Sequence, residues 1–248
     1  MPDDPFSNLY GEGDYAAAIM VQPLTSDQAA DLLPAELELA PQTATPPGTH
    51  PVFFMFGRQV NVHSHLSRWP SMTYAEFVLG VPCVQWKATG HTYRGPYFFM
   101  PRLFLNRAMP IGLGYLYGFA KELARVESVN EAYQINSLWH NQPLVADRFR
   151  RTGQPGLVSD FPLFQTQLEW LNQPFIGKTL LGFCRCSYFD WDFNHAQLQA
   201  IEAEVTVAQP FMPGLPPGTF ALKGLDHSPL GACWLSTHWR LSPPQACK

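Results

Sequence analysis

Charge is scarce in this chain. Only 15% of its 248 residues are Asp, Glu, Lys or Arg, the net charge is −4, and no basic stripe runs along it. That balance argues against nucleic acid or an anionic membrane surface as a partner. Also missing is any run approaching the ~18 apolar residues that a membrane span requires. The opening Met1-Pro2-Asp3-Asp4-Pro5 lacks the basic and apolar regions of a signal peptide, so the expectation is a cytoplasmic protein. Cysteines are few and odd in number. Cys83, Cys184, Cys186, Cys233 and Cys247 fall at no zinc-like spacing, which predicts free thiols in a reducing compartment. Cys184 and Cys186 share one strand face, where packing is the expectation and half a metal site the alternative. Neither an internal repeat nor a dividing linker is present, so residues 1–248 are expected to form one domain.

Apolar and aromatic residues are plentiful instead, at 46% and 14%, with 24 prolines and 18 glycines. A chain of this length buries a substantial core. So much aromatic surface beside so little charge implies further buried area, either a ligand cavity or subunit contacts. Runs rich in aromatic and β-branched residues, separated by breakers, predict strands at 15–22, 52–62, 72–81, 97–105, 129–135, 143–150, 179–190, 202–207 and 233–241. Helices are expected at 25–33, capped by Thr25 or Ser26 with Asp27 in its first turn, and at 107–114, with Pro110 early. A third is expected at 159–171, capped by Ser159 or Asp160 with Pro162 in its first turn. The fold class is therefore α+β, mainly antiparallel β, curling into a closed cone or β-barrel with a few short helices.

Lysine is the rarest charged residue, five against eleven arginines. One of the five, Lys121, stands in Gly114-Tyr-Leu-Tyr-Gly-Phe-Ala-Lys-Glu-Leu-Ala-Arg-Val126, flanked by Leu116, Phe119 and Leu123. Burial there disfavours the ammonium and leaves a neutral amine, a nucleophile toward ketones. A carboxylate beside it, Glu122, favours the ammonium; burial is the larger effect, and on a strand alternation turns Glu122 to the other face. Glu76 is the lone charge in residues 72–81. A carboxylate on an apolar strand needs a partner or a raised pKa, and serves as a general acid or base or as half of a buried ion pair. The plainer alternative for Lys121 is a structural lysine paired with Glu122 or Glu76. His63 and His65 share a strand face, as metal ligands can, but no third ligand stands at a matching spacing and no metal is expected. Arg58 is isolated in the apolar run Phe56-Gly-Arg-Gln.

Three blocks in order resemble the acetoacetate decarboxylase superfamily, as in a divergent member: Ala18 through Leu32-Leu-Pro34, Tyr74-Ala-Glu76, and Pro101-Arg-Leu-Phe-Leu through Gly118-Phe-Ala-Lys-Glu-Leu123. The resemblance implies a β-barrel with the lysine inside, Lys121 as the Schiff-base lysine, Glu76 in the active site and Phe119 in an aromatic pocket wall, simple core packing being the alternative for Phe119. It also implies a homo-oligomer, and no metal or organic cofactor, because the lysine nitrogen serves as the electron sink. Two positions depart from the family pattern. Its second lysine is Glu122 here, and its carboxylate-binding arginine in the opening strand is Gln22. Arg58, Arg94 and Arg102 are candidates to take over that contact, because a guanidinium binds carboxylate bidentately. The expected function is a lyase that decarboxylates a small 3-oxo acid through an imine on Lys121. The alternatives are an imine-dependent aldolase or dehydratase acting on pyruvate-like substrates, and a non-catalytic barrel that binds an apolar ligand.

Overall fold

A computed structural model describes residues 10–88, 93–139, 141–178, 184–224 and 230–247, without the side chains of Leu113 and Leu116. The start Met1 to Pro5, the first part of the strand expected at 179–190, and the Leu116 flank of the lysine lie outside the described residues. In chain order come β1 (Gly11–Thr25), α1 (Ser26–Asp31), β2 (Leu37–Leu39), β3 (Thr49–Ser64), β4 (Ser67–Trp86) and β5 (Tyr97–Leu105). Next are α2 (Met109–Leu116), β6 (Lys121–Ser128), β7 (Ala132–Ser137), β8 (Pro143–Arg151), β9 (Gly156–Leu157) and α3 (Gln165–Leu171). The last are β10 (Phe175–Lys178), β11 (Cys184–Ser187), β12 (Phe189–Trp191), β13 (Gln197–Val207), β14 (Gly218–Leu222) and β15 (Ala232–Leu241). Among the described residues no helix is long and apolar enough to cross a membrane.

Local sequence accounts for the helix ends. Thr25 caps α1 through a reciprocal box: its hydroxyl accepts from Gln28 N at 3.3 Å, and Gln28 Oε1 accepts from Thr25 N at 3.1 Å. The helix expected at 159–171 opens instead as two 3₁₀ turns, Val158–Asp160 and Pro162–Phe164, and becomes α-helical from Gln165. Pro162 lacks the amide that a continuous helix would use there.

The strand order closes on itself once by pairing, and a second route is completed by the continuity of the chain. Along one route, β5, β6, β7, β8, β13, β15, β1, β3 and β4 are paired in turn, and β4 pairs back onto β5. Along the other, β5 pairs with β10 and β10 with β11; after Tyr188 the chain continues as β12, which pairs with β15. Strands β15, β1, β3, β4 and β5 thus belong to both rings, and successive side chains along them enter different interiors. Phe54, Phe56, Phe77 and Phe104 pack into the first interior with Tyr133, Ile135, Val145 and Ile201. Tyr15, Phe53, Met55, Val78 and Leu103 face the second, with Leu168 and Trp170 of α3 packed on that side. The sheet is mixed, which refines the mainly antiparallel expectation: β5 runs parallel to both β6 and β10. A parallel neighbour requires a crossover, and the segment carrying α2 supplies it between β5 and β6.

One sequence expectation is corrected. Cys186 and Cys247 form a disulfide across a separation of 61 residues, and only Cys83, Cys184 and Cys233 are free thiols. The chain end reaches Cys186 because residues 186 and 245 exchange two backbone hydrogen bonds of 2.9 Å. A structural disulfide belongs more naturally to an oxidising compartment, so cysteine usage no longer supports the reducing compartment inferred from sequence.

Candidate active site

A cavity of about 780 Å³ opens on the face that the second ring encloses, and Lys121 and Glu76 both line it. The lysine arrives there through the crossover. Pro110 sits in the first turn of α2, where its missing amide costs nothing. The helix stops at Tyr117, and Gly118 takes a φ of +78°, a left-handed conformation that glycine adopts without strain. Phe119 N then bonds back to Gly114 O at 3.0 Å, and β6 starts at once, with Lys121 in register with Leu103 of β5. The lysine stem lies against α2 so closely that a Cβ on Gly114 would stand 2.2 Å from Lys121 Cδ. Only glycine leaves that space.

Alternation along β6 separates the two neighbours whose relation sequence left open. Lys121 enters the cavity, whereas Glu122 turns to the opposite face and accepts from Arg102 Nη1 at 2.7 Å. Glu122 therefore does not neutralise Lys121. Among the described residues the Lys121 ammonium has neither a hydrogen bond nor an ion pair; it stands over the rings of Tyr74 and Phe119, each with its centroid 5.9 Å from Nζ. Lys121 is half-buried, since it lines an open cavity, yet the walls around its amine are apolar. Burial holds its pKa below the ordinary lysine range, against an opposing pull from Glu76.

Glu76 projects from β4 on the same face as Tyr74 and Val78 and is only 4% exposed. Gln59 Nε2 donates to its Oε1 at 2.8 Å, and Gln59 Oε1 accepts from Trp239 Nε1 at 2.8 Å. An indole nitrogen can only donate, so it fixes the orientation of the Gln59 amide and leaves the NH₂ for Glu76. Burial raises the Glu76 pKa, while Lys121 and the Gln59 bond work against that rise. In both groups burial is the largest influence, so it favours a neutral amine facing a neutral acid.

Sequence reasoning passed over a third polar group. The ring of Tyr15 lies across Gly57, where a Cβ would stand 2.7 Å from Tyr15 Cε2, and Gly57 is the cross-strand partner of Glu76. The Tyr15 hydroxyl is buried and without a hydrogen-bond partner among the described residues. Its pKa is pushed well above the ordinary phenol range, by burial first and Glu76 second, so it remains a proton donor at neutral pH. An orphaned buried hydroxyl costs about 1–3 kcal/mol, a cost that a ligand oxygen in the cavity would relieve. The readable signal for Gln59 was an amide inside the apolar run of β3. Tyr15 gave none, because an aromatic residue in a strand is ordinary.

The residues expected to bind a substrate carboxylate lie elsewhere. Arg58 is exposed, and both it and Gln22 fall on the strand face opposite the cavity; Gln22 Nε2 donates to Pro23 O at 3.1 Å. Arg94 is held by Glu38 at 3.3 Å and Trp86 O at 3.0 Å, and Arg102 by Glu122. Among the described residues no arginine lines the cavity. Phe119 does line it, beside Lys121. His63 lines the cavity with its Nε2 3.1 Å from Glu12 Oε1, and His65 stacks on the lining ring of Tyr10 with centroids 4.2 Å apart.

No family model and no curated protein matches the sequence. The fold does have solved counterparts. Acetoacetate decarboxylase from Legionella pneumophila aligns with a TM-score of 0.60 at 16% identity, over 100% of this chain and 92% of that one. An acetoacetate decarboxylase-like enzyme from Sphingomonas wittichii gives 0.61 at 14% identity, over 97% and 92%. The enduracididine biosynthesis enzyme MppR, complexed with the condensation product of pyruvate and imidazole 4-carboxaldehyde, gives 0.60 at 12% identity, over 97% and 90%. The chain has the acetoacetate decarboxylase-like fold.

Proposed function

We propose that this chain, built on the acetoacetate decarboxylase-like fold, is an imine-forming lyase in which Lys121 condenses with the carbonyl of a 3-oxo acid. The observation that carries the reading is a lysine amine with no hydrogen bond or ion pair among the described residues, lining a largely apolar cavity that a buried carboxyl also lines, with Glu122 turned away. The neutral amine attacks the ketone carbon; one proton passes from the nitrogen to the oxygen through the Tyr15 hydroxyl, the Glu76 acid supplies the second, and the oxygen leaves as water. The resulting iminium faces the rings of Tyr74 and Phe119, which favour a cation. The bond to the carboxylate then breaks. Its electron pair moves into the iminium to give an enamine, and neutral carbon dioxide departs. Among the described residues no guanidinium lines the cavity to hold the carboxylate, so apolar surroundings favour the neutral product over the bound anion. Glu76, reprotonated from solvent through the open cavity, then protonates the enamine carbon, and water hydrolyses the iminium to free the ketone and the amine, the proton released returning to Glu76.

A second reading keeps the imine and replaces decarboxylation by condensation of pyruvate with an aldehyde. Its support is the MppR likeness, since that protein is complexed with such a condensation product. One experiment separates them: borohydride reduction with acetoacetate, or with pyruvate and an aldehyde, followed by intact-protein mass measurement, with Lys121→Ala as control. A Lys121-dependent adduct at the mass of the reduced acetone imine, accompanied by carbon dioxide release, supports decarboxylation. A heavier adduct that appears only with pyruvate and the aldehyde supports condensation. No adduct with any of them, on folded protein, refutes imine chemistry and leaves a binding barrel.

A further inference from the structure

Resting on Lys121 as the imine lysine, we infer that its carbonyl substrate carries a bulky apolar tail, aromatic or of medium chain length, and that this tail lies against an aromatic panel of the same cavity. At about 780 Å³ the cavity has room for roughly 26 water molecules at ~30 Å³ each. An oxo acid as small as acetoacetate would fill only a small part of it.

The wall remote in sequence from the lysine is what the tail would meet. Phe189 stacks on Trp191 with centroids 4.8 Å apart and planes 11° apart, and it contacts Phe175 at 4.7 Å and Trp239 at 5.5 Å. All four residues line the cavity. Both indole N–H groups are already committed, Trp191 to Leu171 O at 3.1 Å and Trp239 to Gln59 Oε1 at 2.8 Å. Each indole has one polar atom, so the surface left for a ligand is carbon. Water against such a panel is displaced favourably by carbon and not by a carboxylate. The panel is also held in register with the reacting end, because the indole of Trp239 braces Gln59, and Gln59 braces Glu76.

The test uses intact wild-type protein and borohydride trapping with acetone, methyl propyl ketone, methyl pentyl ketone, methyl heptyl ketone and benzylacetone. None carries a carboxylate, so the series reads imine formation apart from decarboxylation. The half-saturating ketone concentration should fall about fourfold per added methylene until the panel is covered, each methylene contributing a constant transfer term. Benzylacetone should bind at least about 100-fold more tightly than acetone, a conservative share of that term summed over its benzyl group. In Trp191→Ala, at a half-buried position, the preference for benzylacetone over acetone should drop about tenfold, as expected for losing most of one large aromatic contact. Trapping at Lys121 with a flat or rising series overturns the tail but leaves the imine reading standing. An unchanged ratio in Trp191→Ala overturns the placement on the panel. Failure to trap any ketone overturns the imine reading and this inference together.

Discussion

Replacing Gly114 by alanine tests whether the position of the Lys121 amine governs reactivity. The new Cβ would stand 2.2, 2.5 and 2.9 Å from Lys121 Cδ, Cε and Cγ, whereas carbon atoms in contact settle at about 3.5–4.0 Å. The stem must therefore retreat by more than about 1 Å, and its amine with it. A misplacement of that size costs about 100-fold in a reaction that depends on near-attack geometry. Folding should suffer much less. Overpacking costs about 1–3 kcal/mol, while alanine inside a helix gains about 1 kcal/mol over glycine. The net is a loss of about 0–2 kcal/mol, or a few degrees in Tm for a chain of this size. Gly112→Ala is the internal control, since its Cβ would meet nothing within 4 Å; it takes the helix gain without pushing the lysine. The assay is the initial rate of borohydride-trapped adduct formation with a saturating ketone, beside a thermal melt of each variant. If folded Gly114→Ala reacts within about threefold of wild type, the close packing of stem on helix does not position the amine, and the reasoning from it fails.

Other outcomes follow from the charges and cross-links. Glu76 raises the Lys121 pKa, so in Glu76→Gln the pH profile of imine trapping should move to lower pH while overall turnover slows; a shift to higher pH would contradict the pairing. Asp147, whose Oδ1 accepts from Tyr133 N at 2.6 Å, has its carboxyl pushed up to about 8 by burial. A raised folded-state pKa gives stability that is full below the unfolded-state value and lost as pH rises through about 8. Wild type should therefore lose ground to Asp147→Asn on the order of a few kcal/mol between acid and mildly alkaline pH, read by urea titration; a pH-independent difference would refute the burial argument. Reducing the bond between Cys186 and Cys247 should lower stability by up to about 4 kcal/mol, the loop-closure value for a span of this length. An unshifted melt in reductant, with both thiols shown free by labelling, would contradict a stabilising role.

Much of the frame was legible because it depends on local pattern. Residues 97–105 read as a strand and form β5 to the residue, and Thr25, which caps α1, was one of the two hydroxyl residues expected there. Lys121 stood out as a cation in an apolar run, and Glu76 as an acid in another. What sequence did not give was long-range. That Lys121 begins a strand depends on its parallel pairing with β5, and no hairpin turn advertises a parallel neighbour. The arginines proposed for a carboxylate fell outside the cavity because strand parity, once fixed by pairing, sent Arg58 to the other face and Glu122 captured Arg102. The aromatic panel was invisible for a similar reason: Phe175, Phe189, Trp191 and Trp239 come from β10, β12 and β15, which meet only after the second ring closes. The cysteine pairing spans 61 residues and leaves no spacing signature.

The five strands common to both rings act as a party wall between two rooms. Most of the stretch through β3 and β4 has no outdoor side, because a residue turned away from the cavity is turned into a packed core. Enlarging the ligand space from this wall shifts a strand that also holds Phe54, Phe56 or Phe77 in the other room, and close-packed interiors transmit such shifts. The partitions that one room alone owns are β12 and the α2 crossover, which carry Phe189, Trp191 and Tyr117. Changes in substrate size are therefore expected to collect on those elements, while the wall bearing Tyr15, Gln59 and Glu76 stays constant. A saturation-mutagenesis library scored for soluble yield should show that division directly, tolerant at the partitions and intolerant along the wall.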